Sequence, residues 1–228
     1  METVQEELPC LPQDVLQHVL SHCVDVRTVS TARLVSKAWH SAVSGAAAAV
    51  ECSLPGNDSP AHKLQRLHTV APCLTQLRLN IGPGAGSELL VDALANVACF
   101  VFVSSLELHF SEVLELSDAD VTALASLGRL TGLHLVNVSV PSGLDLRPLA
   151  AGLPKLRALR LVQNSKVAPL LYGDDALAAI GEMKSIEELD LRGRMCGVGD
   201  AGLLALRGLT RLRALAVGWV PWQSQVSQ

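Results

Sequence analysis

The chain has 228 residues, 49% of them hydrophobic and only 3% aromatic, with a formal net charge of −4. That is enough apolar material for a continuous core, which must be built from Leu, Val and Ala. Residues 1–120 hold 6 basic against 14 acidic side chains and the remainder 12 against 8, so no dense basic stripe forms and nucleic acid is not expected as a partner. The first fifteen residues, METVQEELPCLPQDV, are acidic and lack the basic end and apolar run of a secretory signal. No window reaches the roughly 18 uninterrupted apolar residues of a membrane-spanning helix. The six cysteines include no CxxC pair, which suits small core residues in a reducing compartment. A cytoplasmic or nuclear protein without a membrane partner is expected.

The first elements lie between Leu11 and Val43. Leu11-Pro12 makes an extended entry, after which Val15, Leu16, Val19 and Leu20 fall on one helical stripe. A break follows around Cys23 to Thr28. Val35, Ala38, Trp39, Ala42 and Val43 then repeat the spacing of a second amphipathic helix. So short a segment cannot close a core around these groups alone, and they must pack against something else.

These residues resemble the F-box. LPQDVLQHVL from Leu11 to Leu20 and LVSKAW from Leu34 to Trp39 are similar to its two signature stretches, although Cys23 stands where the family usually has Leu. The resemblance implies a small all-α module over residues 8–45. It also implies that Leu11, Pro12, Leu16, Val19, Val35 and Trp39 are apolar anchors for the Skp-family linker of a cullin–RING ubiquitin ligase. The competing expectation is that this segment only caps whatever follows it, since repeat domains need a terminal cap.

Beyond it, a leucine-spaced strand recurs six times: LTQLRL, VSSLEL, LTGLHL, LRALRL, IEELDL and LRALAV. Their fourth positions, Leu77, Leu106, Leu133, Leu159, Leu189 and Leu215, are 29, 27, 26, 30 and 26 residues apart, an interval that suits a solenoid repeat. An earlier, degraded strand is expected at Val50–Cys52, 27 residues before Leu77. Upstream of three strands the pattern also matches. Asp118, Val121, Leu124 and Leu127 are in step with Asp174, Leu177, Ile180 and Met183, and with Asp200, Leu203, Leu206 and Leu209. Three-residue apolar spacing predicts a short helix, and each Asp is placed to accept from free N–H groups at its start. Each unit is helix, turn, strand.

With LRALRLVQN (Leu156–Asn164), these units resemble the leucine-rich repeat family. The resemblance implies an α/β solenoid over residues 46–228, with about six to seven repeats, parallel strands on a concave face and short helices on the convex one. It gives Asn164 and Cys196 a role in satisfying backbone groups at turns.

Side chains alternate across a strand, so the residue between the paired leucines of each repeat faces outward. These are Arg78, Glu107, His134, Arg160, Asp190 and Ala216, with His109 and Arg192 beside them. Such a mixed-charge face suits recognition of a target protein. Equally, Arg78 beside Glu107 and Arg160 beside Asp190 are placed to neutralise one another across strands.

Readings with chemistry of their own find little support. His18, His22 and Cys23 share a helical side, yet no HExxH glutamate or distant ligand completes a metal site, and no metal or cofactor is expected. GPGAGS (Gly82–Ser87) lacks the Lys of a phosphate loop and predicts an inter-repeat turn. No nucleophile motif is present. Asn57 and Asn137 begin glycosylation tripeptides, which carry little weight without an export signal. The expectation is a non-catalytic, substrate-recognition adaptor of an SCF-type ligase. The alternatives are a repeat scaffold unconnected with ubiquitin and a small-molecule receptor at the solenoid rim, where the 29- and 30-residue intervals leave room for loops.

Overall fold

A computed structural model describes residues 49–54, 59–141, 143–163, 170–171, 173–192, 195–196 and 198–218. The strands are β1 (Ala49–Leu54), β2 (Gln76–Ile81), β3 (Ser105–Glu115), β4 (Gly132–Ser139), β5 (Ala158–Val162), β6 (Leu170–Leu171), β7 (Glu188–Leu191), β8 (Met195–Cys196) and β9 (Ala214–Val217). Between them run α1 (Pro60–Val70), α2 (Ser87–Val97), α3 (Asp118–Ala125), α4 (Arg147–Gly152), α5 (Asp174–Gly181) and α6 (Asp200–Ala205). Seven strands form one parallel sheet in the order β1-β2-β3-β4-β5-β7-β9. Helices alternate with strands along the chain, an α/β arrangement compatible with a repeat solenoid. The short strands β6 and β8 pair separately.

Register follows the leucine spacing. Val50, Leu77, Leu106, Leu133, Leu159, Leu189 and Leu215 are successive partners across the sheet. The degraded strand expected at Val50–Cys52 is therefore β1. A second row, Cys52, Leu79, Leu108, Leu135 and Leu161, runs beside the first. Both rows are buried except at one end, where Leu215 is 50% exposed. One-sided burial of this kind makes a register slip costly, because moving a strand by one residue would turn its leucines outward.

The helices supply the other half of the core through Leu64, Leu67, Leu90, Leu94, Val121, Leu124, Leu177 and Ile180. Their apolar three- and four-residue spacing packs one face against the sheet. Burial pushes the Cys52 thiol up, with Lys63 opposing, so this cysteine stays protonated in the core.

Where each strand begins, one carbonyl accepts two backbone N–H groups from the next repeat. Thr75 O takes Ser104 and Ser105, Ser104 O takes Thr131 and Gly132, Thr131 O takes Arg157 and Ala158, and Arg157 O takes Glu187 and Glu188. Polar backbone at the helix-to-strand turns is thereby satisfied without relying on a side chain. Asn164 lies outside the described residues. Cys196 is in β8, paired with Leu171 of the small sheet.

The helix starts differ from expectation. Asp118, Asp174 and Asp200 are the first helical residues, and the N-cap positions are Ser117, Gly173 and Gly199. At α3 the cap is a reciprocal box between Ser117 and Asp120. Asp120 is fully buried and accepts from Ser117 N at 2.8 Å, Ser117 Oγ at 2.7 Å and Ser87 Oγ at 2.8 Å. The Ser87 bond ties the start of α2 to that of α3. Asp174 acts across repeats as well, its Oδ1 accepting the Gly199 N–H at 2.7 Å. From the first helical position the Asp174 carboxylate takes the N–H at the N-cap of the neighbouring helix α6. The predicted turn at GPGAGS contains Gly84 at φ +75°, a left-handed conformation that glycine adopts without strain.

Candidate functional site

The strand alternation that buries the leucines puts a continuous polar ladder on the opposite face of the sheet. Its successive partners are Glu51, Arg78, Glu107, His134, Arg160, Asp190 and Ala216. A shorter parallel row of Ser53, Asn80, His109 and Val136 lies beside it.

Glu107 is the centre of this face. The Arg78 guanidinium donates through Nε and Nη2 to Glu107 Oε2, each at 2.8 Å. The other oxygen, Oε1, lies 2.6 Å from His109 Nε2 and 2.8 Å from His134 Nδ1. The two imidazoles meet edge to face, with centroids 5.7 Å apart. Side-chain exposure is 21% for Glu107, 34% for His109, 26% for His134 and 46% for Arg78. Burial alone would raise the Glu107 carboxyl, but the His109 and Arg78 hydrogen bonds and the nearby positive charge outweigh it and hold the group below its usual range. For His134, burial pulls the imidazole down and Glu107 pulls it up. The charges of His109 and Arg160 add to burial, and the result is a lowered value.

The outer parts of the ladder pair differently. Arg78 also faces Glu51 at 3.8 Å, and Asn80 donates a side-chain hydrogen bond to Glu51. The expected Arg78–Glu107 pair forms, whereas the expected Arg160–Asp190 pair does not. Those two are in register, but Arg160 turns to Glu188 at 3.2 Å. Asp190 is instead held by Arg192, just past the end of β7, whose Nε and Nη2 lie 2.9 and 2.7 Å from the two carboxylate oxygens and whose backbone N–H adds a third bond at 3.1 Å. A partner two residues along the chain delivers a planar fork and a backbone donor together, which a cross-strand guanidinium cannot match.

A cleft of about 540 Å³ borders this face at the ends of β1 and β2 and the middle of β3, lined by Leu54, Asn80, Ile81, Pro83, His109 and Phe110 among others. A smaller one of about 270 Å³ lies beside Glu51, Arg78 and Glu107. The seven face residues expected from the sequence, Arg78, Glu107, His109, His134, Arg160, Asp190 and Arg192, thus fall into three groups. Arg78, Glu107, His109 and His134 are joined in one network, Asp190 and Arg192 form their own pair, and Arg160 pairs outside the set with Glu188. Glu51 and Glu188 complete the charge pattern and were not expected. The signal for Glu51 was present, since it occupies the outward position of the degraded strand, 27 residues before Arg78. Asn137, which begins one of the glycosylation tripeptides, donates its side-chain amide to Phe110 O at 2.8 Å and so ties β4 to β3.

The N-terminal anchors, Leu11, Pro12, Leu16, Val19, Val35 and Trp39, lie outside the described residues, as do His18, His22 and Cys23. Residues 8–47 match the F-box-like family model. F-box domains as a class bind Skp-type linkers, so the match supports an F-box protein and, coarsely, an adaptor role. A comparison with curated proteins gives no match. Among the described residues no helix is long and apolar enough to cross a membrane.

Proposed function

We propose that the chain is a substrate-recognition adaptor of an SCF-type cullin–RING ubiquitin ligase, in which the F-box-like segment docks on a Skp-family linker and a leucine-rich-repeat solenoid holds the target protein. The F-box-like match at residues 8–47 carries this reading. The regular leucine register and the single polar face of the seven-stranded sheet support the solenoid half. The division of labour falls near residues 45–46, between helical module and repeats.

The chain contributes geometry and no bond chemistry of its own. Holding a target beside a ubiquitin-charged enzyme raises its effective concentration and removes the diffusive search for a lysine. Recognition lies on the ladder from Glu51 to Arg192, where charge alternates and partly buried carboxylates and imidazoles offer directional hydrogen bonds. Assembly of this kind belongs in the cytoplasm or nucleus.

The test is co-purification of the full chain with a Skp-family linker. Leu16→Asp combined with Trp39→Ala is expected to abolish it while leaving the repeat region folded by circular dichroism. Equal recovery of the linker with this double variant would reject the proposed contact and leave a repeat scaffold whose N-terminal helices only cap it.

A further inference from the structure

We infer that Glu107, His109 and His134 form a binding site for a divalent transition-metal ion of the zinc class. The inference does not depend on the F-box-like segment, since it uses only side chains on the polar face of the sheet. One carboxylate oxygen and two imidazole nitrogens, one from each residue, lie within 4.8 Å of one another. Two histidines and a carboxylate are the protein ligands of an open zinc site, in which a fourth position is left for water or a bound group.

The topology explains the convergence. Glu107 and His109 are two residues apart on β3 and so point to the same face, and His134 is the β4 partner of Glu107. His109 Nε2 and His134 Nδ1 both aim at Glu107 Oε1, at 2.6 and 2.8 Å. Tetrahedral bonds of about 2.0–2.2 Å place ligand atoms about 3.4 Å apart. Replacing the shared protons by an ion therefore needs those nitrogens to retreat by less than about 1 Å, within reach of side-chain torsions on a fixed sheet. The remaining oxygen, Oε2, is held by the Arg78 fork, which orients the carboxylate as an outer partner while leaving Oε1 as a single donor. The Arg78 charge opposes the cation, as does Arg160 on the far side of His134, so the site suits a metal whose imidazole bonds dominate. Two nitrogens and one oxygen select Zn²⁺, Co²⁺ or Ni²⁺ over Mg²⁺ and Ca²⁺, which favour all-oxygen shells. His109 also lines the larger cleft, which gives water or a ligand group access to the fourth position.

The experiment titrates the full-length chain with ZnCl₂ by isothermal calorimetry, with MgCl₂ and CaCl₂ as comparisons. The variants are His109→Gln with His134→Asn, and separately His18→Ala with His22→Ala. Gln and Asn can keep N–H donors directed at Glu107, so the first variant preserves the hydrogen-bonded cluster while removing the metal-binding nitrogens. One Zn²⁺ per chain is expected, weakened by more than the roughly 10–100-fold that loss of an outer partner costs in the first variant and unchanged in the second. Absence of Zn²⁺ binding, equal affinity for Mg²⁺, or binding that survives His109→Gln with His134→Asn would each overturn the assignment. Co²⁺ provides a second readout: visible absorption of a low-coordinate N/O site is expected in the wild type and not in the first variant.

Discussion

Gly152→Ala reverses the usual expectation for glycine replacement in a helix. Gly152 ends α4, and a Cβ built there would lie 2.3 Å from the Ala125 carbonyl oxygen and 2.7 Å from the Ala125 Cβ at the end of α3. Alanine favours the helix by up to about 1 kcal/mol through propensity and the entropy of the unfolded chain. Against this, the atoms it meets are backbone and a Cβ, which cannot rotate away. The two helices would have to part by about 1 Å, and overpacking of this kind costs about 1–3 kcal/mol. The steric term wins, and a net loss of about 1–2 kcal/mol is expected. Gly86→Ser is the control. Gly86 is the N-cap of α2 with extended backbone and nothing within 4 Å of its virtual Cβ, so serine should be neutral or stabilising by a few tenths of a kcal/mol. Urea unfolding followed by circular dichroism separates the two through their midpoints at constant slope. If Gly152→Ala matched or exceeded the wild type, glycine would not be what sets the spacing of α3 and α4. The same reasoning would then fail at Gly181, whose virtual Cβ lies 2.4 Å from Ala205 O.

Two further outcomes follow from burial and charge. Leu106→Ala, in the fully buried middle of the leucine row, should cost about 3–5 kcal/mol, whereas Leu215→Ala at its half-exposed end should cost less than about 1.5 kcal/mol, since little transfer energy is lost there; similar urea midpoints for the two variants would contradict the described burial. Asp190 has its carboxyl lowered because Arg192 outweighs burial, so its stabilisation is complete above the unfolded carboxylate value of about 3.9 and is lost as pH falls through the lower folded value. The stability gap between the wild type and Asp190→Asn should therefore hold from pH 7 to about 4 and shrink below it, and a gap that closed above pH 5 would refute the Arg192 pairing.

Leucine spacing by itself determined the strands, their parallel order along the chain and which side of each strand is buried. With every second residue apolar, only one register hides all the leucines, so local pattern and global packing agree. Val50 shows how far that reaches: a strand with a single matching leucine-like position still falls into line with Leu77. The outward residues were equally legible, because alternation assigns them without knowledge of partners.

What those outward side chains bind to was decided only in three dimensions. Arg160 could reach Asp190 or Glu188, and the choice depends on Arg192 having already filled Asp190 with a fork and a backbone bond. Glu107, His109 and His134 lie two and 27 residues apart, so strand alternation pairs the first two, and the third meets them only because β4 registers on β3. Asp174 looked like a cap for its own helix and instead serves the next one. Periodicity states which way a side chain points. Which of several equally placed partners it takes is a competition among distances and donors that exists only once neighbouring repeats have stacked.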